Sequence, residues 1–130
     1  MKTLIIEDEQ IAFEKIKSLL GQLSPEIEIV QHIKSIEEGI AFLTNQPAID
    51  LAFFDIQLED GLSFSILESV ETNFPIIFTT AYDEYAIRAF DHHSIAYLLK
   101  PIHKADLKKA LDKLKTQVVD SSYSRLLKLA

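Results

Sequence analysis

Ile49-Asp-Leu-Ala-Phe-Phe-Asp55-Ile-Gln-Leu-Glu-Asp-Gly61 is the stretch that decides the fold of this 130-residue chain. Leu51 to Phe54 is an unbroken apolar run, short enough for a strand and too uniform for one with a wet face. Such a run predicts a strand covered on both sides, as in a parallel sheet with helices above and below. The run stops at Asp55, and a loop closed by Gly61 follows. In an open parallel sheet, chemistry collects in the crevice at the carboxyl ends of the strands. Asp55 stands at that address. A strand-end aspartate also caps turns with no further role, so the rest of the chain must decide between the two.

Outward from this stretch, strand and helix patterns alternate. Lys2 to Ile6 is a short apolar strand ending in Glu7-Asp8-Glu9. Ile11 to Leu23 switches to helical spacing, with Ala12, Ile16, Leu19, Leu20 and Leu23 on one face. Glu26 to Ile33 alternates as a less completely buried strand. Ser35-Ile-Glu-Glu38 carries the hydroxyl and carboxylate of a capping box, and its helix places Ile36, Ile40 and Leu43 inward before stopping ahead of Pro47. Beyond Asp55 the pattern predicts a helix over 62–72, a buried strand over 75–80 and a short helix over 82–90. A fifth strand over 95–99 and an amphipathic helix over 103–118 complete it. This alternation predicts an α/β fold, a doubly wound five-stranded parallel sheet. Residues 1–119 read as one domain, and the Ser-rich stretch 120–130 as a linker.

Composition narrows the function. Hydrophobic residues at 48% and charged residues at 25% describe a globular protein with a real core. A formal charge of −7, from 13 basic and 20 acidic residues, argues against this chain gripping nucleic-acid phosphates or an anionic membrane by itself. Without cysteine, neither a disulfide framework nor a thiolate metal site is possible. Leu4-Ile5-Ile6 is too short for a signal-peptide core and no apolar stretch approaches bilayer length. The expected location is the cytoplasm, with no membrane partner.

The strand ends carry the chemistry. The strand order 2-1-3-4-5, borrowed from flavodoxin-like folds rather than derived from this sequence, makes the first and third strands neighbours at the topological switch point. Glu7, Asp8 and Asp55 then crowd together, and three such acids raise one another's pKa values unless a cation intervenes. A hard, oxygen-preferring divalent ion resolves the repulsion, and Mg²⁺ is the ion that accompanies phosphate chemistry. Lys100 supplies a fixed cation and Thr80 a hydroxyl donor from the remaining strand ends. Around one aspartate, these groups suit a phosphoryl-accepting site in which Asp55 attacks while metal and ammonium stabilise the transferring group.

Four motifs, Leu-Ile-Ile-Glu7-Asp8-Glu9, Phe-Phe-Asp55-Ile-Gln-Leu with Asp60-Gly61, Phe-Thr-Thr80-Ala81-Tyr82 and Tyr97-Leu-Leu-Lys100-Pro101, occur in order and at strand ends. With them the chain resembles a two-component response-regulator receiver domain over roughly residues 2–119. The segment from Phe78 to Phe90, followed by Ala96 to Ile102, resembles the LytTR branch in particular.

The resemblance implies a flavodoxin-like receiver fold and a role for each matching residue. Asp55 is the implied phosphoacceptor. Asp8, Asp55 and the Gln57 backbone carbonyl are the implied Mg²⁺ ligands, with Glu7 acting through water. Thr80 and the Ala81 amide would bond the phosphoryl oxygens, Lys100 would pair with them, and Tyr97 would be the aromatic switch that follows Thr80 inward. The Lys100-Pro101 bond is expected to be cis. The implied partner is a sensor histidine kinase, and the chain is not otherwise an enzyme. A phosphorylation-dependent homodimer through the fourth and fifth helices is expected. DNA would be reached only through an output domain beyond residue 130. Tyr82 lies where the family controls water access to the phosphoaspartate.

The sequence departs from the family pattern at three places. Glu7 stands where many receivers have Asp, the loop after Asp55 lacks the common Met-Pro, and Ala96 replaces an Asp often found before the switch aromatic. No required group is lost. Several other residues invite bland readings: Glu9, Glu59 and Asp60 as helix-start and loop acids, and the lysines from Lys104 to Lys115 as the wet face of the last helix. His32, His92, His93 and His103 belong to different elements and read as solvated loop residues rather than metal ligands.

Rival functions carry their own tests. A phosphate-independent interaction module with this fold usually lacks an acid or the lysine, and here all are present. A phosphatase of the haloacid-dehalogenase type wants an acid two positions after its nucleophile, where Gln57 stands. A flavin site wants a Ser/Thr/Gly-rich phosphate loop after the first strand, where Glu7-Asp8-Glu9 would repel phosphate.

Overall fold

The computed structural model describes residues 1–90, 92 and 94–129, with side chains described except at 87, 90 and 117–129. Its strands are β1 (Lys2–Ile6), β2 (Glu28–Ile33), β3 (Leu51–Asp55), β4 (Ile76–Thr80) and β5 (Ala96–Leu99). All pair in parallel in the order β2-β1-β3-β4-β5, the order borrowed by analogy above. Its helices are α1 (Gln10–Leu23), α2 (Ile36–Thr44), α3 (Phe64–Ser69), α4 (Ala86–Phe90) and α5 (Lys104–Leu129).

The apolar runs are continuous because both faces of the sheet are covered, and successive side chains point to opposite faces. Ile5, Phe53, Ile77 and Leu98 pack with Phe13 and Ile16 of α1 and Leu107, Leu111 and Leu114 of α5. Leu4, Ile6, Ala52, Phe54 and Phe78 pack on the other side with Ile36 and Leu43 of α2, Phe64 and Ile66 of α3, and Ala89 of α4. The sequence pattern put Ala12 in the core face of α1. Phe13 is there instead, stacked on His32 of β2 at 3.7 Å between ring centroids, while Ile11 is 87% exposed.

β2 departs from simple alternation. Thr3 pairs with Ile29 but Leu4 with Gln31, so Val30 is an extra residue in a bulge. The shift sets Ile5 opposite His32 and Ile6 opposite Ile33.

Helix boundaries also move. The Ser35 hydroxyl accepts from the Glu38 amide at 3.1 Å, as the capping box predicts. Residues expected at the start of α3 are drawn into a two-residue antiparallel hairpin, Gln57–Leu58 against Gly61–Leu62. Gly61 there has φ +134°, a conformation that favours glycine. The helix therefore starts at Phe64, and Val70 is already extended. The helix expected to begin at Tyr82 opens as a 3₁₀ turn, Asp83–Tyr85, before α4. α5 runs to Leu129, past the expected end at Val118 and through the stretch read as a linker.

Candidate functional site

The carboxyl ends of β1, β3, β4 and β5 converge because each parallel strand delivers its last residue to the same edge of the sheet. Ile6 pairs with Phe54, Asp55 with Thr79, and Thr80 with Leu99. These pairings bring residues 19 to 48 positions apart in sequence to one crevice at the switch point between β1 and β3.

The expected acids meet there. Carboxylate oxygens of Glu7, Asp8, Glu9 and Asp55 lie within 4.8 Å of one another. Glu7 is fully buried and Asp55 nearly so. Lys100 reaches in from the end of β5: its ammonium lies 2.6 Å from Glu7 Oε1, 3.2 Å from Asp55 Oδ2 and 3.7 Å from Glu9 Oε1. The bond to Asp55 is a hydrogen bond. The contact with Glu7 is closer still, an ion pair between a buried carboxylate and the ammonium. The Lys100-Pro101 bond is cis.

One ammonium among four carboxylates leaves the crevice short of positive charge. Burial pushes the Glu7 carboxyl up, the neighbouring Asp55 adds to the rise, and Lys100 opposes it only in part. Burial likewise raises Asp8, with Glu7 adding its repulsion. Burial works to lower Lys100, but its contacts with Glu7 and Asp55 outweigh that and move it up. An oxygen-only donor set this compact, with four carboxylates to one ammonium, fits a hard divalent cation such as Mg²⁺.

Thr80 is buried at the end of β4, and its Oγ1 accepts from the Tyr82 amide at 3.2 Å. Its hydroxyl proton is left free to donate. The Thr80 carbonyl accepts from the Lys100 amide at 2.7 Å, which ties β4 to the lysine. Tyr97, half-buried on β5, donates its hydroxyl to the Tyr82 carbonyl, and burial pushes its phenol up. Tyr82 is 49% exposed and meets Tyr85 edge-to-face. Gln57 begins the small hairpin two residues after Asp55.

Of the residues given bland readings, Glu9 and His32 behave otherwise, while Asp60 keeps its structural one. Glu9 precedes α1 without a side-chain capping bond; its carboxylate joins the acid cluster, and its amide donates to Glu7 Oε2 at 3.3 Å. The run of three acids was the available signal. Asp60 is a loop acid that caps a different helix, accepting from the Ile36 amide at 3.0 and 3.1 Å and the Glu37 amide at 3.3 Å. His32 is no loop residue: it lies in β2 with its ring on Phe13. His92 stacks on Phe64 at 5.1 Å, whereas His93 lies outside the described residues.

A switch-point crevice with clustered acids and one inward lysine, on a sheet of this order, defines the receiver class of α/β domains. The comparisons agree. The model of the response regulator receiver domain matches residues 3–112, and the chain belongs to that family. It is 35% identical over 121 residues to the sensory transduction protein LytT of Bacillus anthracis, covering 90% of this chain and 48% of LytT. To the transcriptional regulatory protein BtsR of Escherichia coli K12 it is 40% identical over 119 residues, covering 90% of this chain and 49% of BtsR. The chain thus spans about half the length of these curated relatives. Among solved structures, it resembles the response regulatory domain of mrkE from Klebsiella pneumoniae with a TM-score of 0.77 and 31% identity. That match covers 90% of this chain and 97% of the other. The REC domain of AraT, a response regulator from Geobacillus stearothermophilus, gives a TM-score of 0.75 at 28% identity, covering 93% and 97%. The likeness to the LytT, LytR and BtsR regulators bears out the LytTR-type resemblance.

Proposed function

We propose that Asp55 accepts a phosphoryl group from the phosphohistidine of a sensor histidine kinase. The observation that carries this is the crevice itself: a nearly buried carboxylate paired with Lys100, among acids short of a cation. Glu7, Asp8, Asp55 and the Gln57 backbone carbonyl would hold Mg²⁺, with Glu7 acting through water. When bound, Mg²⁺ would supply positive charge against the phosphoryl oxygens and relieve the repulsion among the acids.

An oxygen of Asp55 attacks phosphorus as the bond from phosphorus to the imidazole nitrogen breaks, and the freed imidazole takes a proton. Lys100 engages Asp55 Oδ2, which leaves Oδ1 as the oxygen not held by the ammonium. Lys100 then follows the charge onto the phosphoryl group, and the Thr80 hydroxyl and Ala81 amide donate to its oxygens. The chain acts on itself and turns over no separate substrate.

Output follows from the same contacts. Drawing Thr80 toward the phosphoryl group removes the acceptor of the Tyr82 amide, and Tyr97 is bonded to the carbonyl of that same residue. The loop and Tyr97 therefore rearrange together, a shift between two packings that strengthens self-association through the face of α4 and α5. Sedimentation of the phosphorylated chain should show dimers, and a strict monomer would remove this part of the reading. Residues 1–119 act as the receiver and 120–130 as a link to an output domain that contacts DNA, as transcriptional regulators among the relatives suggest. The expected setting is the cytoplasm; among the described residues no helix is long and apolar enough to cross a membrane.

Intact mass after incubation with acetyl phosphate and Mg²⁺ tests the chemistry. One phosphate-sized gain is expected, dependent on Mg²⁺ and absent in Asp55→Ala. No gain in the wild-type chain would favour a phosphate-independent interaction module.

A further inference from the structure

The β1–β2 ladder ends where the Glu7 amide donates to the Ile33 carbonyl at 2.9 Å. Beyond it the chain turns at Lys34 toward the Ser35 cap of α2, so β2 brings no backbone donor to the Glu7 carbonyl. A side chain stands in. His32 Nε2 lies 2.8 Å from that carbonyl oxygen. A carbonyl oxygen only accepts, so Nε2 carries the proton and donates.

The ring is not held by this bond alone. Phe13, buried on α1, lies parallel to it within 7°, with centroids 3.7 Å apart. The bulge at Val30 makes this possible. It sets His32 opposite Ile5, a residue of the core under α1 and α5. Without the extra residue Gln31 would oppose Ile5, and His32 would point to the other face of the sheet.

We infer that His32 is a positioning residue for the metal-binding turn: clamped on Phe13, its imidazole fixes the Glu7–Asp8 peptide and so the direction of both carboxylates. It touches neither the cation site nor the reacting atoms and acts only through the Glu7 carbonyl. The inference rests on the assignment of Glu7 and Asp8 to Mg²⁺ made above. Groups that orient metal ligands from outside the coordination sphere commonly govern metal affinity by an order of magnitude or more.

The test is Mg²⁺ titration by calorimetry of the wild-type chain, His32→Phe and His32→Gln, with thermal unfolding in EDTA alongside. Phenylalanine keeps a ring for Phe13 and deletes the donor, while glutamine keeps a donor and loses the stack. His32→Phe is expected to bind Mg²⁺ about tenfold more weakly, and His32→Gln to recover most of that loss. Unchanged affinity in His32→Phe, even with a lower melting temperature, would mark a purely structural histidine and overturn the inference. Equal weakening in both variants would overturn it as well. If His32→Phe does not fold, nitrogen NMR of the wild-type imidazole decides. A ring protonated at Nε2 in a hydrogen bond is expected, and one protonated only at Nδ1 refutes the clamp. Failure of the wild-type chain to bind Mg²⁺ would instead remove the metal assignment itself.

Discussion

The Lys100 ammonium stands 2.6 Å from the fully buried carboxylate of Glu7, nearer than its 3.2 Å to Asp55. Lys100 is therefore first a counter-ion for Glu7 and only second a partner of the proposed phosphoacceptor.

Lys100→Met should accordingly cost stability as well as reactivity. It leaves a buried carboxylate unpaired, and partial protonation of Glu7 softens the loss to about 2 kcal/mol. Urea unfolding in EDTA should show this, and saturating Mg²⁺ should restore a large part. An unchanged unfolding midpoint in EDTA would mean that Lys100 does not stabilise Glu7.

The raised Glu7 carboxyl fixes the sign of a pH effect. The folded chain holds that proton more tightly than the unfolded chain, so it binds more protons between the two pKa values. The stability this contributes is complete below the ordinary carboxylate range and is lost as pH rises through the raised value. In EDTA, Glu7→Gln should gain stability relative to wild type as pH goes from about 4 to 7. A constant difference across that range would contradict the shift. In the wild-type chain, Mg²⁺ should bind more tightly at the upper end of the same range, because its ligands must first lose protons.

Thr80→Val removes a hydroxyl while preserving shape. If that hydroxyl donates to the transferring group, labelling by acetyl phosphate should slow by about ten- to hundredfold, with Thr80→Ser close to wild type. Equal rates in all three proteins would assign Thr80 only to the Tyr82 amide.

Asp60→Ala strips the first turn of α2 of an acceptor that two amides share. A loss of about 1 kcal/mol is expected, since Ser35 still serves Glu38. Because Asp60 makes these bonds away from the acid cluster, Mg²⁺ affinity should stay within about twofold. A larger loss of metal binding would show that the hairpin after Asp55 is shaped by this cap.

Much of the candidate site is legible in the residues because strand ends are punctuated so clearly. Glu7, Asp55 and Lys100 each stop an apolar run, Asp8 and Thr80 stand directly behind such a stop, and a parallel sheet gathers these ends at one edge. The shortening of α3 was not legible: its apolar spacing is helical through Leu62, but Gly61 and Leu62 bond to the strand residues Gln57 and Leu58 instead. A local hairpin overrides helical periodicity there. Glu9 is a similar case, since a helix-start acid and a member of an acid cluster have the same local sequence.

Local sequence determined the alternation of elements, the double burial of the strands and the chemical identity of the strand-end groups, because each depends on residue type and short-range period. Tertiary structure decided which acid is buried against Lys100, that Glu9 joins the cluster, and that His32 faces Phe13. Those outcomes depend on register between strands far apart in the chain, and one extra residue at Val30 reverses which face a side chain meets. Periodicity within a strand carries no record of that register.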